Sequence, residues 1–221
     1  MKTNHPFRNR RAQRAFNLLE LMVLMAVGMI VVLLILPGVM PRHRKAAVRI
    51  NCVNNLKQVA LAFRIWAGDN NDVYPMQAET NALGGPKYGD ASNAFRYFQI
   101  MSNELSTPKI VICPADAKRF PATNFLGDFN NLRVSYFIGM EATETNAAMF
   151  LSGDSHLTNK NPKKNGMQPF TTNQPAWWTK ERHQGNGNIA ITDGSVAQLS
   201  SARLAPMFVA TGRATNSLLF P

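Results

Sequence analysis

The sequence predicts an α+β protein in which a long N-terminal helix packs on a small antiparallel β-sheet head. Three observations predict this fold class. Residues 16–36 form an apolar run that contains one charge, Glu20. Apolar residues then recur every three or four positions up to residue 67, which is the spacing of one helix face. Further along, Asp193 and Gly194 separate two segments of alternating residues, which is typical of a hairpin.

Residues 16–36 are long enough to cross a membrane. A helix of this length is about 31 Å long, and the hydrocarbon core of a bilayer is about 30 Å thick. A secretory signal has a shorter apolar stretch followed by a small-residue cleavage site, which this segment does not match. A plain single-pass anchor is the simplest alternative. Its weakness is Glu20, since a carboxylate deep in a bilayer costs about 2.5–3.5 kcal/mol on insertion scales.

Two prolines follow the apolar run. Proline removes a helical hydrogen bond, so Pro37 and Pro41 predict a kink or a short unwound stretch. The helix is then expected to resume as an amphipathic continuation to residue 67. Its apolar face is expected to lie against the head and contains Ala46, Ile50, Val53, Leu56, Ala60, Phe63 and Ala67, extended by Cys52, Val59 and Trp66.

These patterns divide the chain into four parts. They are a basic leader (1–15), a transmembrane helix (16–36), the amphipathic continuation of that helix (37–67) and an α+β head (68–221). Within the head, we expect a short helix at 93–105, buried strands at 109–113 and 133–139, a weaker strand at 148–152, an exposed polar loop at 153–175 and the final hairpin at 188–199.

The basic charge of the chain is concentrated at its start. The net charge is +11, and five of the positive residues lie in the first fifteen residues, so removal of those residues leaves +6. Because the remaining charge is moderate, the high pI is weak evidence for nucleic-acid binding, and no nucleic-acid partner is expected. A basic group in the head is interpreted as solvated, with contact to DNA as the alternative; its members are Lys160, Lys163, Lys164, Lys180 and Arg182.

The two cysteines, Cys52 and Cys113, lie beyond the apolar run, in the part of the chain that would be exported. In an oxidising compartment, two thiols suggest one disulfide. The alternative is two buried free thiols, because cysteine is commonly buried in any case. The sequence leaves both alternatives open.

His183 and Asp193 are the candidates for chemistry. They suggest a catalytic pair or half of a metal site, but the sequence has no G-x-S-x-G or H-E-x-x-H motif. Only His156 remains as a further histidine ligand in the head. We therefore expect Asp193 to form a turn and His183 to hydrogen-bond the backbone near the hairpin. No catalytic residue, metal or cofactor is expected.

Trp177 and Trp178 are adjacent in the sequence, just before His183. Exposed tryptophan rings stack on sugars or bases, which makes this pair a candidate for ligand binding. The alternative is that both rings pack inside a small domain or at a subunit contact, and the sequence favours this packing role.

The segment from Arg14 to Glu20 reads RAFNLLE and resembles the cleavage and methylation motif of type IV prepilins and type II secretion pseudopilins. The resemblance implies cleavage between Ala15 and Phe16, N-methylation of Phe16, and pairing of Glu20 with the amine of a neighbouring subunit. Those proteins usually have Gly and Thr where this chain has Ala15 and Asn17. Pro37 also matches the proline that pilin helices commonly carry.

Three further segments resemble a group of pilin-like proteins abundant in planctomycetes and verrucomicrobia. The first is the C-terminal pattern in which nine residues separate His183 from Asp193 and Gly194. The other two are CVNNLKQ, which begins at Cys52, and CPAD, which begins at Cys113. This resemblance implies a pilin-like fold more than a particular activity.

The resemblance implies a structural subunit of a type II secretion or type IV pilus-like filament. The implied partners are prepilin peptidase, other pilin or pseudopilin subunits, the assembly machinery and membrane lipid. The implied location is the inner membrane, crossed once, with a cytoplasmic N-terminus and a periplasmic head, or an extracellular filament. The alternatives are an anchored envelope module that binds DNA or glycan, and a hydrolase or metalloprotein built on His183 and Asp193.

Overall fold

The structure is a computed structural model that describes residues 17–78 and 94–221, and for residues 36–45 it describes the backbone only. Ala15, Phe16 and the leader lie outside the described residues. The chain forms two compact units, residues 1–45 and residues 46–221. The second unit is α+β, with an antiparallel sheet, as the sequence predicts.

Helix α1 runs from Leu18 to Asp69. Its segment Leu18–Ile35 is apolar and long enough to cross a membrane, judged by length and composition. The helical backbone continues through Pro37 and Pro41, so the predicted unwound stretch is wrong, whereas the kink stays a prediction. Each proline removes one N–H donor, while the neighbouring turns keep their own hydrogen bonds.

The face of α1 that packs on the head differs in part from the predicted one. Ala46 and Ile50 are exposed, so these two predictions are wrong. The reason is that burial begins at Cys52, and Ile50 shares the solvent side of the helix with Lys57 and Leu61. Spacings of three and four residues relate the buried positions, as expected for one helix face: Cys52, Leu56, Val59, Ala60, Phe63, Trp66 and Ala67.

The segment after the described gap is helical, as predicted, in two short pieces, α2 (Ala94–Ile100) and α3 (Ser102–Leu105). The strand predicted at 109–113 is wrong, because Pro108–Val111 is a 3₁₀ turn. Thr107 caps this turn by accepting a hydrogen bond from the Lys109 backbone N–H, and proline suits the first helical position. The four residues 110–113 are nevertheless buried, as their apolar side chains lead one to expect.

The main sheet has six antiparallel strands in the order β4-β8-β1-β2-β6-β7, and a smaller sheet pairs β3 with β5. The helix α4 spans Leu204–Ala210 and precedes the last strand. The strands are β1 Tyr136–Gly139, β2 Phe150–Asp154, β3 Leu157–Asn159, β4 Met167–Thr171, β5 Ala176–Trp178, β6 Asn186–Ile191, β7 Val196–Ser200 and β8 Thr215–Leu219.

The predicted polar loop at 153–175 is wrong, because β3 and β4 lie within it. Two of its buried amides are hydrogen-bonded. Gln168 Nε2 donates to Asn159 Oδ1 at 2.6 Å, and Asn159 Nδ2 donates to the Pro169 carbonyl at 2.7 Å. Hydrogen-bonded amides can be buried at little cost, so a polar sequence here does not mean an exposed one.

Both faces of the sheet are covered. Successive residues of a strand point to opposite faces, and β1 illustrates this alternation. Tyr136 and Ile138 join the apolar cluster that includes the buried face of α1, whereas Phe137 joins a second cluster with Phe208 of α4. The C-terminal half of α1 is therefore part of the core of the head.

Candidate functional site

Cys52 and Cys113 form a disulfide that ties α1 to the segment after the 3₁₀ turn. Their Cα atoms are 5.1 Å apart, within the usual range for a disulfide, and both residues are fully buried. Of the two alternatives left open by the sequence, the structure contains the disulfide.

His183 lies beside this disulfide. Its Nε2 atom is 3.2 Å from Cys113 Sγ and 3.7 Å from Asp154 Oδ2. The predicted hydrogen bond between His183 and the backbone is made by its carbonyl oxygen and not by its ring; this oxygen accepts from the Asn186 N–H at 3.3 Å and from Asn186 Nδ2 at 3.1 Å. His183, Gln184 and Gly185 all have positive φ angles (49°, 58° and 78°), which turns the chain sharply from β5 into β6.

The environment of His183 disfavours its protonated form. Burial lowers the pKa of His183 to about 4, and the positive charges of Arg49 and Arg182 add to this effect. The Asp154 carboxylate at 3.7 Å acts in the opposite direction. The imidazole is therefore neutral at neutral pH.

Arg182, the residue before His183, is the centre of a buried ionic network. Its Nη2 atom is 3.2 Å from Asp116 Oδ2, and its Nη1 atom is 4.0 Å from Asp154 Oδ1. The guanidinium also donates to the Ser135 carbonyl at 3.1 Å and to Ser155 Oγ at 2.8 Å. Its interpretation as a solvated residue is thus wrong, because two buried carboxylates and two further acceptors replace water around it.

Asp154 ends strand β2 and is fully buried. Its Oδ2 atom accepts hydrogen bonds from the backbone N–H and the side-chain amide of Asn188 at 2.8 and 2.9 Å. Burial raises the pKa of Asp154, while His156, Arg182 and Asn188 oppose that rise. The local sequence does not identify Asp154 as a site residue, because the glycine before it and the histidine two residues later match no motif.

The two tryptophans of β5 point in different directions. Trp178 is buried, with its ring 4.9 Å from that of His156 and packed so closely on Gly187 that a Cβ there would overlap it. Trp177 is partly exposed. Adjacent strand residues face opposite sides, so the two rings do not form one stacking platform, and packing explains Trp178.

Asp193 and Gly194 form the hairpin turn, as predicted, but the loop has three residues instead of two. The Gly194 N–H donates to the Ile191 carbonyl at 2.9 Å, and the Ile191 N–H donates to the Ser195 carbonyl at 3.0 Å. Asp193 Oδ1 accepts from the Ser195 N–H at 2.7 Å. Gly194 has φ 87°, a left-handed conformation that glycine adopts readily.

This turn also contacts helix α1. Arg64 Nη1 donates to the Asp193 carbonyl at 3.2 Å, and a Cβ on Gly194 would lie 3.0 Å from the same nitrogen. His183, at the other end of the pattern, contacts Cys113, which is bonded to Cys52 of α1. Both ends of the His-x9-Asp-Gly pattern therefore fasten the sheet to α1.

The structure does not bring His183 and Asp193 together. The six residues of β6 lie between them, and a strand of that length spans about 20 Å. A catalytic or metal-binding pair made of these two side chains is therefore wrong. His156 is also engaged elsewhere, since its Nε2 atom is 2.8 Å from the Asn186 carbonyl oxygen.

The remaining members of the basic group are lysines at the surface. Lys160, Lys163, Lys164 and Lys180 are exposed, which agrees with solvated charges. Lys163 Nζ also lies 4.0 Å from the centre of the Phe220 ring, an ordinary cation–π contact.

Comparison with protein-family models, with curated proteins and with solved structures returned no match to this chain.

We expect Arg182→Gln to destabilise the head by about 3 kcal/mol, because it leaves two buried carboxylates without their shared cation. The exposed residue Lys180 gives the matched control, and Lys180→Gln is expected to change stability by less than about 0.5 kcal/mol. Urea unfolding of the full chain in detergent measures both, followed by tryptophan fluorescence. Equal midpoints for the two variants would mean that the network contributes little.

Proposed function

We propose that this protein is a structural subunit of a type II secretion or type IV pilus-like filament, that prepilin peptidase matures it, and that it assembles through its N-terminal helix. The observation that carries the proposal is the position of Glu20 in the segment RAFNLLE, at the start of an apolar helix. A filament subunit needs both features, and a plain anchor needs only the apolar helix.

The Glu20 carboxylate needs a cationic partner because it lies in an apolar segment. Every described side chain of Leu18–Ile35 is exposed in the single chain, so lipid or other copies must cover this surface. A carboxylate near the end of such a segment is costly without a cation. The new amine of Phe16 on a neighbouring helix would supply that cation when the two subunits are offset along the filament axis.

The attachment of α1 to the head supports a mechanical role. A disulfide at Cys52 and a hydrogen bond at Arg64 hold the helix at points twelve residues apart, about 18 Å along its axis. The buried face of α1 adds core packing between these points. The part of α1 between Cys52 and Arg64 is therefore fixed to the head, and a force on this part of the helix would reach the sheet.

The disulfide also supports the proposed location. Structural disulfides persist in oxidising compartments, and the periplasm is one of them. We therefore place the head in the periplasm and the N-terminus in the cytoplasm, with α1 crossing the inner membrane once. In this proposal the protein binds partner subunits, the assembly machinery and lipid, and it catalyses no reaction.

Fractionation of cells with and without prepilin peptidase tests the function. With the peptidase, we expect the chain in a sedimenting filament fraction that also contains other pilin-like subunits. Without it, the chain should stay in the membrane at monomer size. A chain that is a monomer in both strains, while the peptidase processes a known pilin in the same cells, would contradict the proposal.

A further inference from the structure

Three potential metal ligands converge in the core of the head. Cys52 Sγ, Cys113 Sγ and His183 Nε2 all lie within 4.8 Å of one another, and all three residues are buried. Two thiolates and an imidazole are a ligand set suited to Zn²⁺, which takes water as its fourth ligand where the protein supplies three.

We propose that the dithiol form of this chain binds one Zn²⁺ ion through Cys52, Cys113 and His183, with water in the fourth position. The disulfide and the metal site are then alternative states of the same residues. Each state links helix α1 to the head.

The distances fit a tetrahedral site after a small adjustment. With Zn–S bonds of about 2.3 Å and Zn–N bonds of about 2.0–2.1 Å, neighbouring ligand atoms lie about 3.4–3.8 Å apart. Cys113 Sγ and His183 Nε2 are 3.2 Å apart, and Cys52 Sγ lies within 4.8 Å of both. Once the S–S bond is absent, each sulfur has to move by about 1 Å for the two to reach the same separation.

The surroundings also suit a buried cation. Asp154 Oδ1 has no hydrogen-bond partner within the described residues, and Asn188 holds Oδ2 of the same carboxylate in place. Two thiolates neutralise the charge of Zn²⁺, so the bound ion adds no net charge to the core. The Asp154 carboxylate, whose Oδ2 is 3.7 Å from His183 Nε2, lies beside the ligands and forms an ion pair with Arg182 Nη1 at 4.0 Å. Polar groups beside metal ligands orient them and commonly strengthen binding.

Conversion of the zinc-bound dithiol into the disulfide needs one reagent, a second disulfide that acts as the oxidant. Zn²⁺ binding to the dithiol releases two protons. A small or protein disulfide then accepts two electrons from the two zinc-bound thiolates and two protons from solvent, and becomes two thiols. The products are the Cys52–Cys113 disulfide and free Zn²⁺. The metal site therefore belongs to the chain before it is oxidised.

Binding of Co²⁺, a spectroscopic substitute for Zn²⁺, tests the proposal. The full chain in detergent is reduced with a phosphine, and Co²⁺ is added without oxygen. We expect one ion per chain, thiolate-to-cobalt charge-transfer absorption, and loss of both when Zn²⁺ displaces Co²⁺. The same chain in its disulfide form should bind no Co²⁺ at this site.

His183→Ala is the diagnostic variant, and His156→Ala is its control, because His156 is a nearby buried histidine that does not ligate in this scheme. We expect His183→Ala to weaken Zn²⁺ binding at least tenfold and His156→Ala to leave it within about threefold. The disulfide form of each variant, measured by near-ultraviolet circular dichroism, reports whether it folds.

A second measurement, protection of the thiols from alkylation, tests the proposal if His183→Ala does not fold. In the wild-type chain, both reduced cysteines should be alkylated at least tenfold more slowly with Zn²⁺ present than with a chelator present. The proposal is wrong if the reduced, folded chain gives no charge-transfer absorption, if Zn²⁺ leaves alkylation unchanged, or if a folded His183→Ala chain binds as tightly as the wild type.

Discussion

Glu20→Gln is expected to abolish filament assembly while membrane insertion continues. The variant keeps the size of the side chain and removes its charge, so a cationic amine on the next subunit has nothing to pair with. Removing a charge makes the helix more apolar, and insertion should therefore be as good or better. Electron microscopy of sheared filaments and extraction of membranes with carbonate measure the two outcomes separately.

Two matched variants separate charge from packing. Glu20→Asp keeps the charge on a shorter side chain and should retain partial assembly. Leu24→Ala removes apolar volume from an exposed residue one turn further along α1 and, as a change in packing alone, should reduce assembly less than Glu20→Gln does. Filaments of normal length and number from Glu20→Gln would remove the reason for assigning a filament function to this chain.

Removal of the disulfide is expected to destabilise the head by about 4 kcal/mol. The bridge closes a loop of 61 residues, and the chain-entropy model assigns a loop of that size about this free energy. The double variant Cys52→Ala/Cys113→Ala removes both thiols and therefore avoids a free cysteine. Because all three tryptophans, at 66, 177 and 178, lie in the unit 46–221, their fluorescence reports unfolding of the head.

The measurement is urea unfolding of the full chain in detergent, with a chelator present so that metal cannot replace the bridge. Ala62→Gly is a useful comparison, since it perturbs the buried face of α1 without touching the disulfide. It should cost about 1 kcal/mol plus the lost burial of one methyl group. A double cysteine variant that unfolds within about 1 kcal/mol of the wild type would show that packing alone fastens α1 to the head.

Local patterns in the sequence predict the elements that local forces build. The apolar length of residues 16–36 predicts a helix that can cross a membrane, and the alternation around Asp193 and Gly194 predicts the last hairpin. The cysteines at 52 and 113 suggested a bridge without excluding free thiols. The helix and the hairpin depend on residues close in the sequence, and the suggestion of a bridge depends on the chain having two cysteines.

Features that depend on long-range partners were not predicted. Arg182 is read as solvated because its carboxylate partners, Asp116 and Asp154, are 66 and 28 residues away. The polar segment at 153–175 is read as a loop because its hydropathy does not show that Gln168 donates a hydrogen bond to Asn159 inside the fold. Residues 109–113 have the composition of a strand, but a proline and a capping threonine make the segment a 3₁₀ turn.

The most direct test of a pilin-like subunit is the mass and N-terminal sequence of the protein isolated from the membrane of its own cells. A filament subunit matured by prepilin peptidase begins at Phe16 and carries one methyl group on its amine. A mature chain that keeps the basic leader and begins at Met1 would lack the free Phe16 amine that is proposed to pair with Glu20 of its neighbour, and a filament held by that pair could not form.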